Sequence, residues 1–521
     1  MVVPSRILAY RLLLEWAEQG TLASLRLEDR MGTVHGSARW LLAAAAMAPA
    51  VAGGCSCGDS GGTIGATSGG GADQSAGGGG SGGIPFLAGS GGSGVTSGGC
   101  EGLECQQIAC PGGGTTTVSG TVYEPAGKLP LYNVTVYVPN RELEPITDGA
   151  SCDRCDVTLS GDPIATALTD TNGRFVLENV PVGVDIPLVV QLGKWRRQIT
   201  LPKVEGCVDN PTVDRTVRLP RSKAEGHLPK IALTTGGSDV LECLLYKMGI
   251  DASEFTPEAG DGRVNLFAGR AIEGDSATSR YRDGLNDGAP FSLAREFWGS
   301  LDTLRRYDMV ILSCEGSEFG DDKPEAALRA MFDYASAGGR VFASHWHNTW
   351  LRLGPERFPE TAEWDEESDP DDGLPVLVDT TFPKGLALRD WLANVGASTV
   401  PGQIEIDDPQ HWVDSVNEEI ATRWLYNEAN TDFDAPAGVK YFTFNTPIGA
   451  PEEAQCGRFV YTDIHVAASD VAGAPFPSGC EGRDGAMHEL PPQEKALLFM
   501  LFDLSACIAP DDEPPPVPVP T

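Results

Sequence analysis

The stretch Gly338–Trp350, GGRVFASHWHNTW, restricts the fold more than any other. A Gly-Gly break precedes a short apolar run, Val341–Ala343, which stops at Ser344 and two histidines. A run that is apolar at every position suits a parallel strand covered on both faces. In an open α/β sheet the carboxyl end of such a strand is where ligands bind. Cys456–Ala467, CGRFVYTDIHVA, repeats the pattern: glycine, arginine, an apolar strand, then Asp463 and His465. The two strand ends are expected to face one site.

The neighbouring sequence supports an alternating strand–helix domain over residues 229–508. Ile231–Leu233, Met309–Leu312, Val439–Phe444 and Phe459–Ile464 read as strands. Leu241, Leu244, Leu245 and Met248 fall at helical spacing, as do Leu328, Met331, Phe332 and Ala335 after Pro324. Leu386–Leu392 and Pro491–Leu504 complete the helices. Such alternation predicts an α/β layered domain with a mainly parallel sheet. Residues 509–521 are acidic and Pro-rich, so an extended, solvated tail is expected.

Ahead of this lies an all-β segment, residues 115–220. Val118–Tyr123 and Val134–Val138 alternate apolar and polar residues. The turn cluster Asp170-Thr171-Asn172-Gly173 leads into a strand at Arg174–Leu177, and Pro187–Leu192 and Gln198–Leu201 follow. Short strands at this spacing predict a β-sandwich. Trp195-Arg196-Arg197 is either a ligand patch or a strand with a solvated face.

At 521 residues two or more domains are expected. With 38 Lys and Arg against 73 Asp and Glu, the formal charge of −35 repels nucleic-acid backbones and anionic membrane surfaces. Residues 1–54 read as a signal region with the better start at Met31. Arg39 gives a short n-region, Leu41–Ala52 an apolar h-region, and Gly53-Gly54-Cys55-Ser56 a cleavage site. The pattern resembles a bacterial lipoprotein signal with Cys55 as the lipidated residue, although Ala52 stands where leucine is usual. A plain secretory signal and a cytosolic chain are the alternatives. Residues 55–114 form a Gly/Ser-rich tether with a cysteine cluster, too poor in apolar side chains to fold. Membrane contact is therefore expected only through a lipid anchor. Thirteen cysteines in an exported chain suggest disulfides, with one left over. Cys152-Asp-Arg-Cys155 fits structural disulfides, or redox or zinc chemistry if the chain is cytosolic.

Two resemblances follow from these residues. Ser119–Val122, Asn133–Val136, Thr169–Phe175 (TDTNGRF) and Asn179–Gly183 (NVPVG) resemble the carboxypeptidase regulatory-like, or transthyretin-like, family. That implies a non-catalytic module. Tyr307–Leu312, Gly338–His345, Phe382–Leu386 and Gly457–His465 resemble, in order, the class I glutamine amidotransferase-like superfold, most of all its ThuA-like branch. That implies a flavodoxin-like α/β domain. Amidotransferases place a cysteine nucleophile in the turn after the strand; here Ser344-His345 occupies it and Cys314 lies one strand earlier. Glutaminase activity is not expected.

Three chemistries remain open for this rim. Ser344 could act as a nucleophile with His465 as base and Asp463 or Glu315 orienting it. His345, His347 and His465 could hold a divalent metal, provided the chain turns between the first two. The leading expectation is a pocket without catalysis. There Glu315, His345, Trp346, His347, Asp463 and His465, with Trp350, bind a small polar ligand such as a carbohydrate. A purely structural role for the histidines is the fourth option. The acidic stretch Glu360–Asp372 is read as a solvated loop, with calcium binding as its alternative.

Overall fold

A computed structural model describes residues 100–520, apart from 156–157, 272–276, 369–373, 431–435, 467–472 and 483–484. The signal region, Cys55 and most of the tether lie outside the described residues.

Seven strands form the first part: β1 (Thr117–Thr121), β2 (Thr135–Pro139), β3 (Pro163–Leu168), β4 (Arg174–Leu177), β5 (Gly183–Leu192), β6 (Trp195–Val204) and β7 (Asp209–Pro211). They make two sheets, ordered β4-β1-β7 and β3-β2-β5-β6. Alternation decides which side chains face inward: in β3 every second residue from Pro163 is buried, and in β4 Phe175 and Leu177 are.

The second part contains β8 (Ile231–Thr234), β9 (Phe255–Thr256), β10 (Val264–Ala268), β11 (Ser292–Leu293), β12 (Met309–Leu312), β13 (Arg340–Ser344), β14 (Ala362–Ser368), β15 (Leu374–Val378), β16 (Gln403–Ile406), β17 (His411–Val416), β18 (Thr422–Asn427), β19 (Gly438–Thr446) and β20 (Gly457–Thr462). Its helices are α1 (Leu241–Lys247), α2 (Ala294–Phe297), α3 (Leu301–Leu304), α4 (Glu325–Ser336), α5 (Thr349–Arg352), α6 (Pro383–Asn394) and α7 (Pro492–Ser505). One 11-stranded sheet runs β11-β10-β8-β12-β13-β20-β19-β18-β15-β16, with β9 beside β10. Pairing is parallel from β11 through β20 and antiparallel from β20 to β16. The architecture is thus β-rich, with several sheets and few helices.

The sheet is mixed: six of its ten pairings among the described residues are parallel, as strand–helix alternation leads one to expect, and the four from β20 to β16 are an antiparallel portion that the alternation did not announce. The antiparallel strands were harder to read because one face of some of them stays wet: β16 alternates exposed and buried residues. The parallel strands β8, β12 and β13 are buried at every position. The Gly-Gly break before β13 has a steric cause. Gly338 takes a positive φ of 106° and lies so close to Ser151 that a Cβ there would sit 2.4 Å from the Ser151 carbonyl oxygen.

The two parts share one hydrophobic core instead of meeting at a linker. Trp195, 1 % exposed, packs edge-on against Phe502 of α7 with ring centres 6.0 Å apart. Tyr132 stacks on Phe499 at 6.0 Å, and the Trp391 indole N–H donates to the Pro130 carbonyl at 2.7 Å. Burying a large side chain of this kind is worth about 2–3 kcal/mol. Trp195 is therefore packing, not an exposed ligand patch. Disulfides Cys152–Cys456 and Cys155–Cys507 join the parts covalently, and the other disulfides among the described residues are Cys100–Cys105, Cys110–Cys207 and Cys243–Cys480. The CxxC cysteines take separate partners, so they form no redox pair.

Two further expectations change. The acidic stretch is not all loop: residues 362–368 form β14, paired antiparallel with β17. The tail is not all solvated: Asp511 is buried, and the Pro518 carbonyl accepts from the Thr166 hydroxyl. Among the described residues no helix is long and apolar enough to cross a membrane.

Candidate functional site

Adjacent parallel strands β12, β13 and β20 are in register, Leu312 beside Ala343 and Ser344 beside Thr462. Their carboxyl ends therefore deliver Cys314, His345 and His465 to one place. The His345 Nδ1 lies 3.4 Å from the Cys314 sulfur and 3.2 Å from the His465 Nε2. Cys314, His345 and His465 are 0 %, 2 % and 7 % exposed. His345 holds a positive φ of 44°, uncommon for a residue with a side chain, at the strand-to-helix turn where β13 runs into a short 3-10 turn and α5. Burial, then the neighbouring His465, pushes the His345 imidazole down to about 3, so it stands neutral at pH 7.

The other expected residues divide around this cluster. Asp463 is buried beside it and fully occupied: its Oδ1 accepts from the Tyr461 hydroxyl at 2.6 Å and its Oδ2 from the Trp412 backbone N–H at 2.9 Å. The Ser344 hydroxyl donates to Asp239 at 2.6 Å, so its single proton is committed there and not to a histidine. No serine–histidine–acid relay is assembled. Glu315 is turned to Lys323, 2.6 Å away, and accepts from the Arg270 N–H at 2.7 Å. Burial raises its pKa against the pull of that ammonium.

His347 does not join the other imidazoles. Its Nδ1 accepts from the Trp350 indole N–H at 3.0 Å, and its Nε2 donates to the Ser313 carbonyl at 3.0 Å. Both nitrogens are used, which removes it from a metal set with His345 and His465. The 3-10 turn sends residues two apart to different sides. Trp350, 1 % exposed, is a core residue edge-on to Trp298, not a pocket wall. Trp346 is half-buried; it meets His345 at 5.5 Å and Trp412 edge-on at 5.1 Å, ring centre to ring centre. The Arg352 guanidinium lies over Trp412 at 5.4 Å.

Cys314 and Asp239 were missed as site residues. No sequence signal marked the first, because the odd cysteine of the thirteen was read as Cys55; among the described residues ten cysteines pair, and Cys314 is free and buried. Burial pushes its thiol pKa up, unlike an activated nucleophile. A second group of donors, Asp365, His411 and Asp414, lies on the β14–β17 pair, with the His411 Nε2 2.8 Å from Asp414. Two small clefts lie elsewhere, one lined by Lys194, Asp308 and Arg340, the other by Tyr132, Trp391 and Phe499. Both lie against the first part of the chain and not at the carboxyl rim.

Lys440 of β19 gives a test of the electrostatics here. Its ammonium is buried and donates to the Gln410 carbonyl. Burial pushes it down to about 8, with Asp463 pulling the other way. Between about pH 8 and 10.5 the unfolded chain binds the proton and the folded chain does not. The lysine therefore costs stability below pH 8, and the cost lifts as pH rises through that window. Relative to Lys440→Met, the wild type should gain about 3 kcal/mol of unfolding free energy between pH 7 and 10.5. A pH-independent difference in urea denaturation contradicts this.

No protein-family model matches the chain, and no curated protein matches it. Among solved structures it is similar to chains of two type II cohesin–X-dockerin complexes from Acetivibrio cellulolyticus, at 16 % and 17 % identity. Each covers 28 % of this chain and 78 % of that chain, with a TM-score of 0.14. It is also similar to a 9R-lipoxygenase from Cyanothece PCC8801 at 10 % identity, over 68 % of this chain and 43 % of that one, with a TM-score of 0.11. Overlaps this slight carry nothing about fold or ligand.

Proposed function

We propose that the chain is an exported, lipid-anchored envelope protein that binds a small polar, carbohydrate-like ligand at the carboxyl rim of β12, β13 and β20. The first part is then a regulatory-like sandwich that braces the second, an amidotransferase-like α/β domain without glutaminase activity. One observation carries the reading: His345, His465, Asp463, Asp239, Ser344 and Lys440 are all buried at that rim. Burying polar and charged groups costs free energy even when they are hydrogen-bonded. Buried polar and ionisable groups gathered at one strand end, beyond the carboxyl ends of a parallel sheet, mark a candidate binding site. Trp346 and Trp412 supply aromatic faces beside them, which suit the apolar faces of sugars.

The test is a thermal-shift series with neutral mono- and oligosaccharides on the wild type and on Trp346→Ala. A ligand at a hundred times its Kd stabilises by about 2.7 kcal/mol. At least one sugar should raise the melting temperature, and Trp346→Ala should reduce that rise. No shift across the panel refutes the ligand and leaves a structural envelope protein.

A further inference from the structure

We infer that Cys314, His345 and His465 form a three-ligand site for a borderline-soft transition metal, zinc or a close relative. It deepens the proposed function, naming an ion held at the rim where the ligand would bind. Distances carry the argument. An ion with about 2.0–2.1 Å bonds to nitrogen and about 2.3 Å to sulfur, at tetrahedral angles, holds two nitrogens about 3.3 Å apart and a nitrogen about 3.5 Å from the sulfur. The corresponding separations are 3.2 Å for His345 Nδ1 to His465 Nε2 and 3.4 Å for His345 Nδ1 to the Cys314 sulfur. All three donor atoms lie within 4.8 Å of one another. They are already spaced for a shared ion.

Hydrogen bonding accounts for the same cluster less well. The His345 Nδ1 has one in-plane lone pair, yet both a thiol and an imidazole approach it. The Cys314 sulfur also accepts from the Gly316 backbone N–H at 3.4 Å, an arrangement that suits a thiolate. One contact holds a ligand's backbone in place: the His465 carbonyl accepts from the Gln493 amide at 2.8 Å.

The donor set selects the ion. One thiolate and two imidazoles are soft to borderline and exclude calcium and magnesium, which take oxygen. With three protein ligands the fourth corner of a tetrahedron is left for water or a polar ligand, as in zinc sites that act on bound molecules. Cys314 replaces His347 in the set expected from sequence. The site needs three adjacent strands, so no short motif announces it.

The experiment titrates zinc and cobalt into the full chain, purified with chelator and without sugar. One equivalent is expected, with a sulfur-to-cobalt charge-transfer band. Cys314→Ser should abolish the band, and His465→Gln should weaken binding at least tenfold. His411→Asn, in the second donor group, should change neither. X-ray absorption of the zinc-loaded wild type needs no variant and should show one sulfur and two imidazole nitrogens. No bound metal, a first shell without sulfur, or binding that survives in Cys314→Ser and is lost in His411→Asn overturns the inference. The sugar series repeated after chelation separates the two readings. A sugar shift with no metal bound leaves the ligand and removes the ion; metal bound with no sugar shift does the reverse.

Discussion

Asp511→Ala is expected to lower the unfolding free energy by about 3–5 kcal/mol, the usual cost of stripping one partner from a buried ion network. Asp511 accepts from the Arg458 Nη2 at 2.7 Å, the Lys384 ammonium at 3.0 Å and the Thr443 hydroxyl at 2.9 Å. Asp503 meets the same two cations, at 2.9 Å from Arg458 and 3.1 Å from Lys384. Two carboxylates thus balance two cations in a nearly dry interior. Removing one leaves a net buried charge that water cannot reach. Arg458 and Lys384 hold the Asp511 carboxyl far below the usual carboxylate range, although burial alone works the other way. The sign follows: a depressed carboxyl contributes stability above its ordinary value of about 4, and that contribution fades as pH falls below it. Wild type and variant should therefore converge in urea denaturation as the solution is acidified. Asp512 next door is exposed, and Asp512→Ala should change stability by less than about 0.5 kcal/mol. Equal stability of Asp511→Ala and the wild type at neutral pH would refute the network's role.

This network also shows where sequence reading stops. An acidic, Pro-rich terminus looks solvated because local composition carries no record of Arg458, a residue 53 positions away. Most of what was legible was local. Met309–Leu312 is found as read, and Val341–Ala343 lies within β13, since a run apolar at every position has few alternatives to a covered strand. Arg174–Leu177 is likewise found as read, following its Asp-Thr-Asn-Gly turn. The meeting of His345 and His465 was legible too, because repeated strand endings imply a common rim. The chemistry at that rim was only half legible. His347 looks equivalent to His345 in sequence, yet the 3-10 turn commits it to Trp350 and Ser313. Cys314 looked like one more cysteine until the other ten described ones proved to be paired. Neither distinction exists below the level of strand order.

Replacing the four cysteines of the two joining disulfides by alanine should cost about 10 kcal/mol, more than twice the cost of losing either bridge alone. Cys152–Cys456 and Cys155–Cys507 span 304 and 352 residues. In the chain-entropy account, a closed loop of that size removes about 5–6 kcal/mol of freedom from the unfolded chain. Either bridge suffices to close it. The first bridge removed therefore opens only the smaller ring between the two, some fifty residues, worth about 4 kcal/mol. The second removal opens the long loop itself. The effect reaches the rim because Cys456 directly precedes β20, the strand that ends three residues before His465. Without both bridges only non-covalent contacts, such as Trp195 on Phe502 and Tyr132 on Phe499, tie the first part to α7. Urea denaturation of the two double-alanine variants and of the fourfold variant, without reductant, measures the series. Strict additivity would show that the bridges close independent loops in the unfolded chain, and the account of one shared long loop would fall.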